Sequence, residues 1–282
     1  MIRGPFLGTA NHSPRFDKFP LAARRGEKGH NNCMHPPDKQ PRNDPSARCD
    51  SSRGGPALDG VAIDHIRAFV RLCERGLDNR GDIAGWHGTS IEAMEIAVRL
   101  GGIAPSANAH AKAAPGHLFF YPPHPSDFDP QTNLELSSHG RGGAMHYART
   151  NGQYHYLLRE GGLEFSNPDH HLRVWRLVDR FESEGPSKGV RKMMGQLGFS
   201  EERIDGALTD LTARRGFLIT ISRSAFDTYP PSDGDAPGDD LKIFVPHGLP
   251  FAGVAGIEPL GEAEFAFFER MQAVVEAADK LG

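Results

Sequence analysis

Four short stretches hold side chains able to do chemistry. The first is Trp86-His87-Gly88-Thr89-Ser90. A His at a strand end, followed by Gly, presents its ring to a ligand while the Gly backbone comes close. The plainer alternative is a His in a turn, satisfied by a neighbour. The second is Gly116-His117-Leu118-Phe119-Phe120-Tyr121, whose paired rings either fill a core or wall a planar ligand. The third is Ala144-Met145-His146-Tyr147-Ala148, which carries a phenol next to small residues. The fourth is an end pattern of Gly216–Ile221, then Leu241-Lys242-Ile243-Phe244-Val245-Pro246, then Leu249-Pro250 and Val254–Leu260, each ordinary core sequence on its own. Metal chemistry is not expected. His139, His146, His170 and His171 lack helical i,i+4 ligand spacing and read as solvated loop histidines, and His30, Cys33, His35 and Cys49 lack a zinc-site spacing.

The elements that must position these groups follow from periodicity. Val61 to Leu72 recur at helical spacing, with Asp64 and Arg67 on the polar face. Asp82–Thr89 reads as a short strand. Ser90 caps a helix with Ile91, Met94, Ile96, Ala97 and Leu100 inward, stopped by Gly101-Gly102. Leu118–Tyr121 is a strand ended by Pro122-Pro123. Residues 124–140 read as a loop, and Gly143–Arg149 begins a helix carrying Tyr147. Tyr154–Leu158 and Leu172–Leu177 look like strands. Val190–Leu197 and Glu201–Arg214 read as helices, with Ser200 capping the second. Met193–Leu211 is a little like a ubiquitin-associated helix pair, but two helices alone make a poor module. A helical insertion at about 188–215, packed on a sheet, is the expectation. Gly216–Ile221, Leu241–Val245 and Leu249–Ile257 read as strands, Asp227–Gly238 as a loop and Phe265–Leu281 as an amphipathic helix. Helices cluster early and strands late, which favours α+β over a regular βαβ alternation.

Composition bounds the rest. The chain has 282 residues, net charge −4 and 38% apolar residues. Residues 1–57 hold scattered Pro, Gly, Asn and Arg without period, and are expected to be a disordered basic tail ahead of a folded domain at 58–282. Residues 1–55 alone carry ten Lys/Arg against five Asp/Glu, which leaves the remainder acidic and gives no global case for nucleic-acid binding. Three Cys are too few for a disulfide framework and fit a reducing, cytoplasmic setting. No apolar run approaches the ~20 residues a bilayer needs, so no membrane partner is expected.

The order of the fragments resembles the ADP-ribosyltransferase fold, in its His-Tyr-Glu branch, which includes poly-ADP-ribose polymerases and, with Arg and His in place of the Glu, RNA 2′-phosphotransferases. His87-Gly88-Thr89 is similar to the family's first strand end. Gly101-Gly102-Ile103-Ala104-Pro105-Ser106 resembles its "GGI-x-P-S" segment, Leu118-Phe119-Phe120 its aromatic strand, and Ala144–Ala148 its Ala-x-x-Tyr-Ala helix. Val254–Leu260 resembles its "GI-x-PL" end. The resemblance covers about residues 83–260. It implies a split β-sandwich with flanking helices, NAD as substrate, and transfer of ADP-ribose to a protein or nucleic-acid acceptor. It implies that His87 hydrogen-bonds a ribose hydroxyl, that the Gly88 backbone anchors the nicotinamide amide beside Thr89, and that Ser106 touches the adenosine side. Tyr147 would stack on nicotinamide opposite Phe119 or Phe120. The chemistry is cleavage of a glycosidic bond through an oxocarbenium-like cation, which negative charge near C1′ stabilises. The family places a Glu where this chain has Lys242, and Asp240, of the same strand parity, is the substitute acid. The Lys points to two alternatives: a catalytically silent nucleotide or ADP-ribose-binding module, or an RNA 2′-phosphotransferase-like enzyme in which Lys242, Arg141 or Arg149 contacts a phosphate.

Overall fold

The structure is a computed structural model that describes residues 61–75, 82–105, 116–129, 131, 133–134, 137–164, 167–233 and 241–281. The chain divides into Met1–Gly55 and Pro56–Gly282, and every described residue belongs to the second unit. The tail expected at 1–57, Ser106 and the acids Asp239 and Asp240 lie outside the described residues.

The elements run α1 (Ile63–Glu74), β1 (Ile83–Thr89), α2 (Ile91–Leu100), β2 (Gly102–Ile103), β3 (His117–Phe120), α3 (Gly140–Glu160), α4 (Pro168–Glu184), α5 (Lys188–Gln196) and α6 (Glu201–Ala213). They continue with β4 (Phe217–Ser222), α7 (Ala225–Thr228), β5 (Pro231–Asp233), β6 (Leu241–Phe244), β7 (Leu249–Pro250), β8 (Val254–Pro259) and α8 (Glu262–Asp279). The protein is a mixed, α+β structure. Its strands form antiparallel sheets in the orders β1-β4-β8 and β3-β6-β5, with β2 paired to β7. One isolated bridge, Trp86 to Tyr121, joins the two larger sheets through reciprocal N–H···O bonds of 2.9 and 2.8 Å.

Local chemistry sets most boundaries. The Ser90 hydroxyl accepts from the Ala93 amide at 3.1 Å and caps α2, and Gly101 ends it at φ 72°, a left-handed conformation that favours glycine. In α1 the residues Ile66, Phe69 and Val70 share one buried stripe. Phe69 meets Phe217 and Phe267 edge-on at ring distances of 6.1 and 5.6 Å, locking α1 and α8 onto β4. Burial of each such ring contributes about 1.5–3 kcal/mol.

Four local expectations are corrected. Tyr154–Leu158 and Leu172–Leu177 are not strands but lie within α3 and α4. In α4 the buried set His171, Val174, Leu177, Val178 and Phe181 has helical spacing, whereas the strand reading relied on the local apolar content around Leu172, which is 51% exposed. His171 is therefore buried rather than a solvated loop residue, with its ring stacked on Tyr154 and its Nδ1 against the Tyr154 hydroxyl. Ile96 and Leu100 of α2 face solvent, because the buried stripe runs through Ile91, Met94, Ala97 and Val98. The 227–238 loop holds the end of α7 and the edge strand β5, where Pro231 is tolerated because an edge position needs no second ladder partner.

The helices at 188–215, expected to pack on a sheet, pack instead with α3 and α4. Tyr154 and Leu157 of α3, Val174 and Leu177 of α4, Met194 of α5 and Leu211 of α6 share one apolar core, separate from the core beneath the sheets. Among the described residues no helix is long and apolar enough to cross a membrane.

Candidate functional site

β1 is buried along its whole length, and its residues alternate between two faces. Trp86 and Gly88 face α3, and His87 emerges on the other side with its cross-strand partner Ile219. Past the Trp86–Tyr121 bridge the His87 ring turns to β3, where its Nδ1 lies 2.7 Å from the Phe119 carbonyl oxygen. A carbonyl only accepts, so Nδ1 carries the proton and donates. A neutral ring then leaves Nε2 as a lone-pair acceptor. Burial pushes the His87 pKa down to about 4, partly offset by the bond to Phe119. The ring is neutral at ordinary pH, and the residue is 6% exposed.

Gly88 explains how closely α3 approaches. A Cβ placed there meets the Ala144 carbonyl oxygen at 2.1 Å and the Ala148 amide nitrogen at 2.5 Å. Only hydrogen fits, so β1 and the turn of α3 that carries half-buried Tyr147 pack backbone to backbone. Thr89 is the last, buried residue of β1.

The two phenylalanines part company. Phe120 is fully buried in the main core, 5.4 Å ring to ring from Phe226, so its side chain is committed to packing. Phe119 faces the opposite side of β3 and is only half-buried, which leaves it as the candidate ring wall. Its cross-strand partner in β6 is Lys242, which in turn pairs with Ser232 of β5. His117 and Phe244 share this outer face, with ring centroids 5.1 Å apart, and Phe244 is 56% exposed. An aromatic row beside an ammonium and a hydroxyl suits a flat ring with an attached anion.

The arginines offered as phosphate contacts are both in ion pairs. Arg141 reaches Glu258 of β8 at 2.7 Å, and Arg149 reaches Glu182 of α4 at 2.5 Å. The start of α3, Gly140-Arg141-Gly142-Gly143, looks from composition like an anion cradle, yet a protein carboxylate already fills it. Asp127, in a short 3-10 turn at Pro125–Phe128, accepts from the Arg141 amide at 2.9 Å and from the His124 amide at 2.6 Å. Sequence reasoning passed over Asp127. The available signal was an acid three residues after His124, the spacing of a reciprocal cap.

The structure thus brings His87 to Phe119, Phe119 to Lys242, and Gly88 to the turn bearing Tyr147. Among the described residues no group of three His, Cys, Asp or Glu is arranged to hold a metal ion. No protein-family model matches this sequence, and no curated protein or solved structure matches it.

Proposed function

We propose that this chain is an ADP-ribosyltransferase-like protein that binds NAD beside His87 and transfers ADP-ribose to a protein or nucleic-acid acceptor. The observation that carries the reading is the fixed tautomer of His87. The Phe119 carbonyl accepts a hydrogen bond from Nδ1–H, which leaves Nε2 as the acceptor that would take one from a ribose hydroxyl. Backbone packing at Gly88 sets the Tyr147 turn of α3 against the end of β1, and Tyr147 and Phe119 supply rings from separate elements. In the reaction the C1′–N bond of NAD breaks, nicotinamide leaves with the electron pair, and an acceptor oxygen or nitrogen bonds C1′ and loses its proton. The developing cation calls for an anion, a role assigned to Asp240.

The test is calorimetric titration with NAD, paired with an assay for released nicotinamide. Binding that is lost in His87→Ala, with turnover in the wild type, supports the proposal. No binding of NAD or ADP-ribose by the wild type overturns it.

A second reading is a silent module that holds ADP-ribose or a related nucleotide. Lys242 favours it, since the ammonium beside Phe119 attracts phosphate and opposes a positive transition state. NAD affinity without nicotinamide release selects this reading.

A further inference from the structure

Away from His87, α4 and α5 bound a hollow of about 520 Å³ lined by Arg173, Arg176, Met193, Gln196 and Leu197. Its floor is apolar, supplied by a thioether and a leucine, and its rim is cationic. Arg173 and Arg176 stand one turn apart on the exposed face of α4. Among the described residues neither has an ion-pair partner, although nearby Arg180 is paired with Glu184 and Arg191 with Asp205. A groove of this make-up takes a helix that presents one apolar knob between acids.

Such a helix is on the same chain. The solvent face of α8 carries Glu262, Glu269 and Glu276 at seven-residue intervals, all exposed. Among the described residues none of the three has an ion-pair partner. Between the first two stands Phe265, a large apolar side chain left 52% exposed on an otherwise polar stripe. Seven-residue spacing keeps the acids on one side of the helix, with Phe265 at i+3 from Glu262 and i−4 from Glu269.

We infer that α8 of one copy docks into the α4–α5 groove of a second copy. Phe265 enters the hollow against Met193 and Leu197, and Glu262 and Glu269 face Arg173 and Arg176. Groove and stripe are different surfaces of one chain, so each copy offers both halves of the contact, which closes into a reciprocal dimer or continues head-to-tail. One helix in one groove makes a small interface, so association is weak and depends on concentration and salt.

Sedimentation velocity on the full chain tests this. The wild type should sediment faster as concentration rises at low salt, and return to monomer at about 0.5 M salt, where the Debye length falls below ~5 Å. Phe265→Ser should weaken association by about tenfold or more, as for a central anchor. Arg173→Glu with Arg176→Glu, and separately Glu262→Arg with Glu269→Arg, should each remain monomeric. An equal mixture of the two charge-reversed proteins should associate again, because each groove then meets an α8 of opposite sign. All these positions are exposed, and an unchanged melting temperature confirms that each variant is folded. NAD binding should be unaffected in every one. A wild type that stays monomeric at low salt up to high micromolar concentration overturns the inference. So does association that persists in the variants, or a mixture that fails to restore it.

Discussion

The His87 Nδ1 donates to the Phe119 carbonyl across the point where β1 and β3 part, 2.7 Å apart. The bond fixes a neutral ring, and burial holds its pKa near 4 against 6.5 for a free histidine. The sign of the stability effect follows. A folded pKa below the unfolded value means that the unfolded chain binds the extra proton. The contribution of His87 is therefore complete above about pH 6.5 and is lost as pH falls towards 4. The difference corresponds to about 3 kcal/mol. Urea unfolding of the wild type between pH 7 and 4.5 should show this loss, and His87→Gln should flatten part of the slope. His155 and His146 are shifted in the same direction by burial and account for part of what remains. Affinity for NAD should stay level from pH 8 to 5, since the acceptor Nε2 is unprotonated throughout. A tenfold fall near pH 6.5 would show that another histidine holds the ligand.

Gly88 gives the sharpest structural prediction. Its missing Cβ would stand 2.1 and 2.5 Å from backbone atoms of Ala144 and Ala148, which no rotamer change relieves. Gly88→Ala should push α3 off β1 and cost about 1–3 kcal/mol, at the upper end because both obstacles are main chain. Urea denaturation measures the cost. Ligand affinity should fall together with stability, because α3 carries Tyr147.

The sequence shows some parts of this arrangement and hides others for physical reasons. Strand β1, the cap at Ser90 and the stop at Gly101 are legible because each depends on one or two adjacent residues. The α3 and α4 segments misled because Tyr154–Leu158 and Leu172–Leu177 are β-prone in composition, while their helical state is set by packing around a second core. In α3 almost every residue from Thr150 to Leu158 is buried, which erases the period that would mark a helix. Phe119 and Phe120 read alike until strand parity sends one to the core and the other to the outer face. The pairs His87–Phe119, Arg141–Glu258 and Asp127–Arg141 join distant segments, and no local pattern shows them.

Lys242 should separate charged from uncharged ligands. It stands directly across from Phe119, so an anion on a ring stacked there lies within its field. Lys242→Glu should weaken ADP-ribose binding by about tenfold, roughly 1.4 kcal/mol, and leave nicotinamide, which has no charge, almost unchanged. Calorimetry with the two ligands reads the difference directly. Equal effects on both would place Lys242 away from the phosphates.

Asp127 serves α3 as a cap lent by another segment. Its two oxygens take the Arg141 and His124 amides, and its charge lies at the positive end of a 21-residue helix. Gly140 makes room for it, since a Cβ there would meet the carboxylate at 2.1 Å in a backbone with φ of +53°. Asp127→Ala leaves two amides without their acceptor and should cost about 1–2 kcal/mol, whereas Asp127→Asn keeps one acceptor oxygen, loses the charge and should cost about half as much. The loss should be confined to the first turns of α3. Hydrogen exchange should quicken at Gly143 to Met145 in Asp127→Ala while β4, at the centre of its sheet, keeps its protection relative to global stability. Uniform acceleration over the whole domain would show instead that Asp127 supports the fold at large and not this helix end.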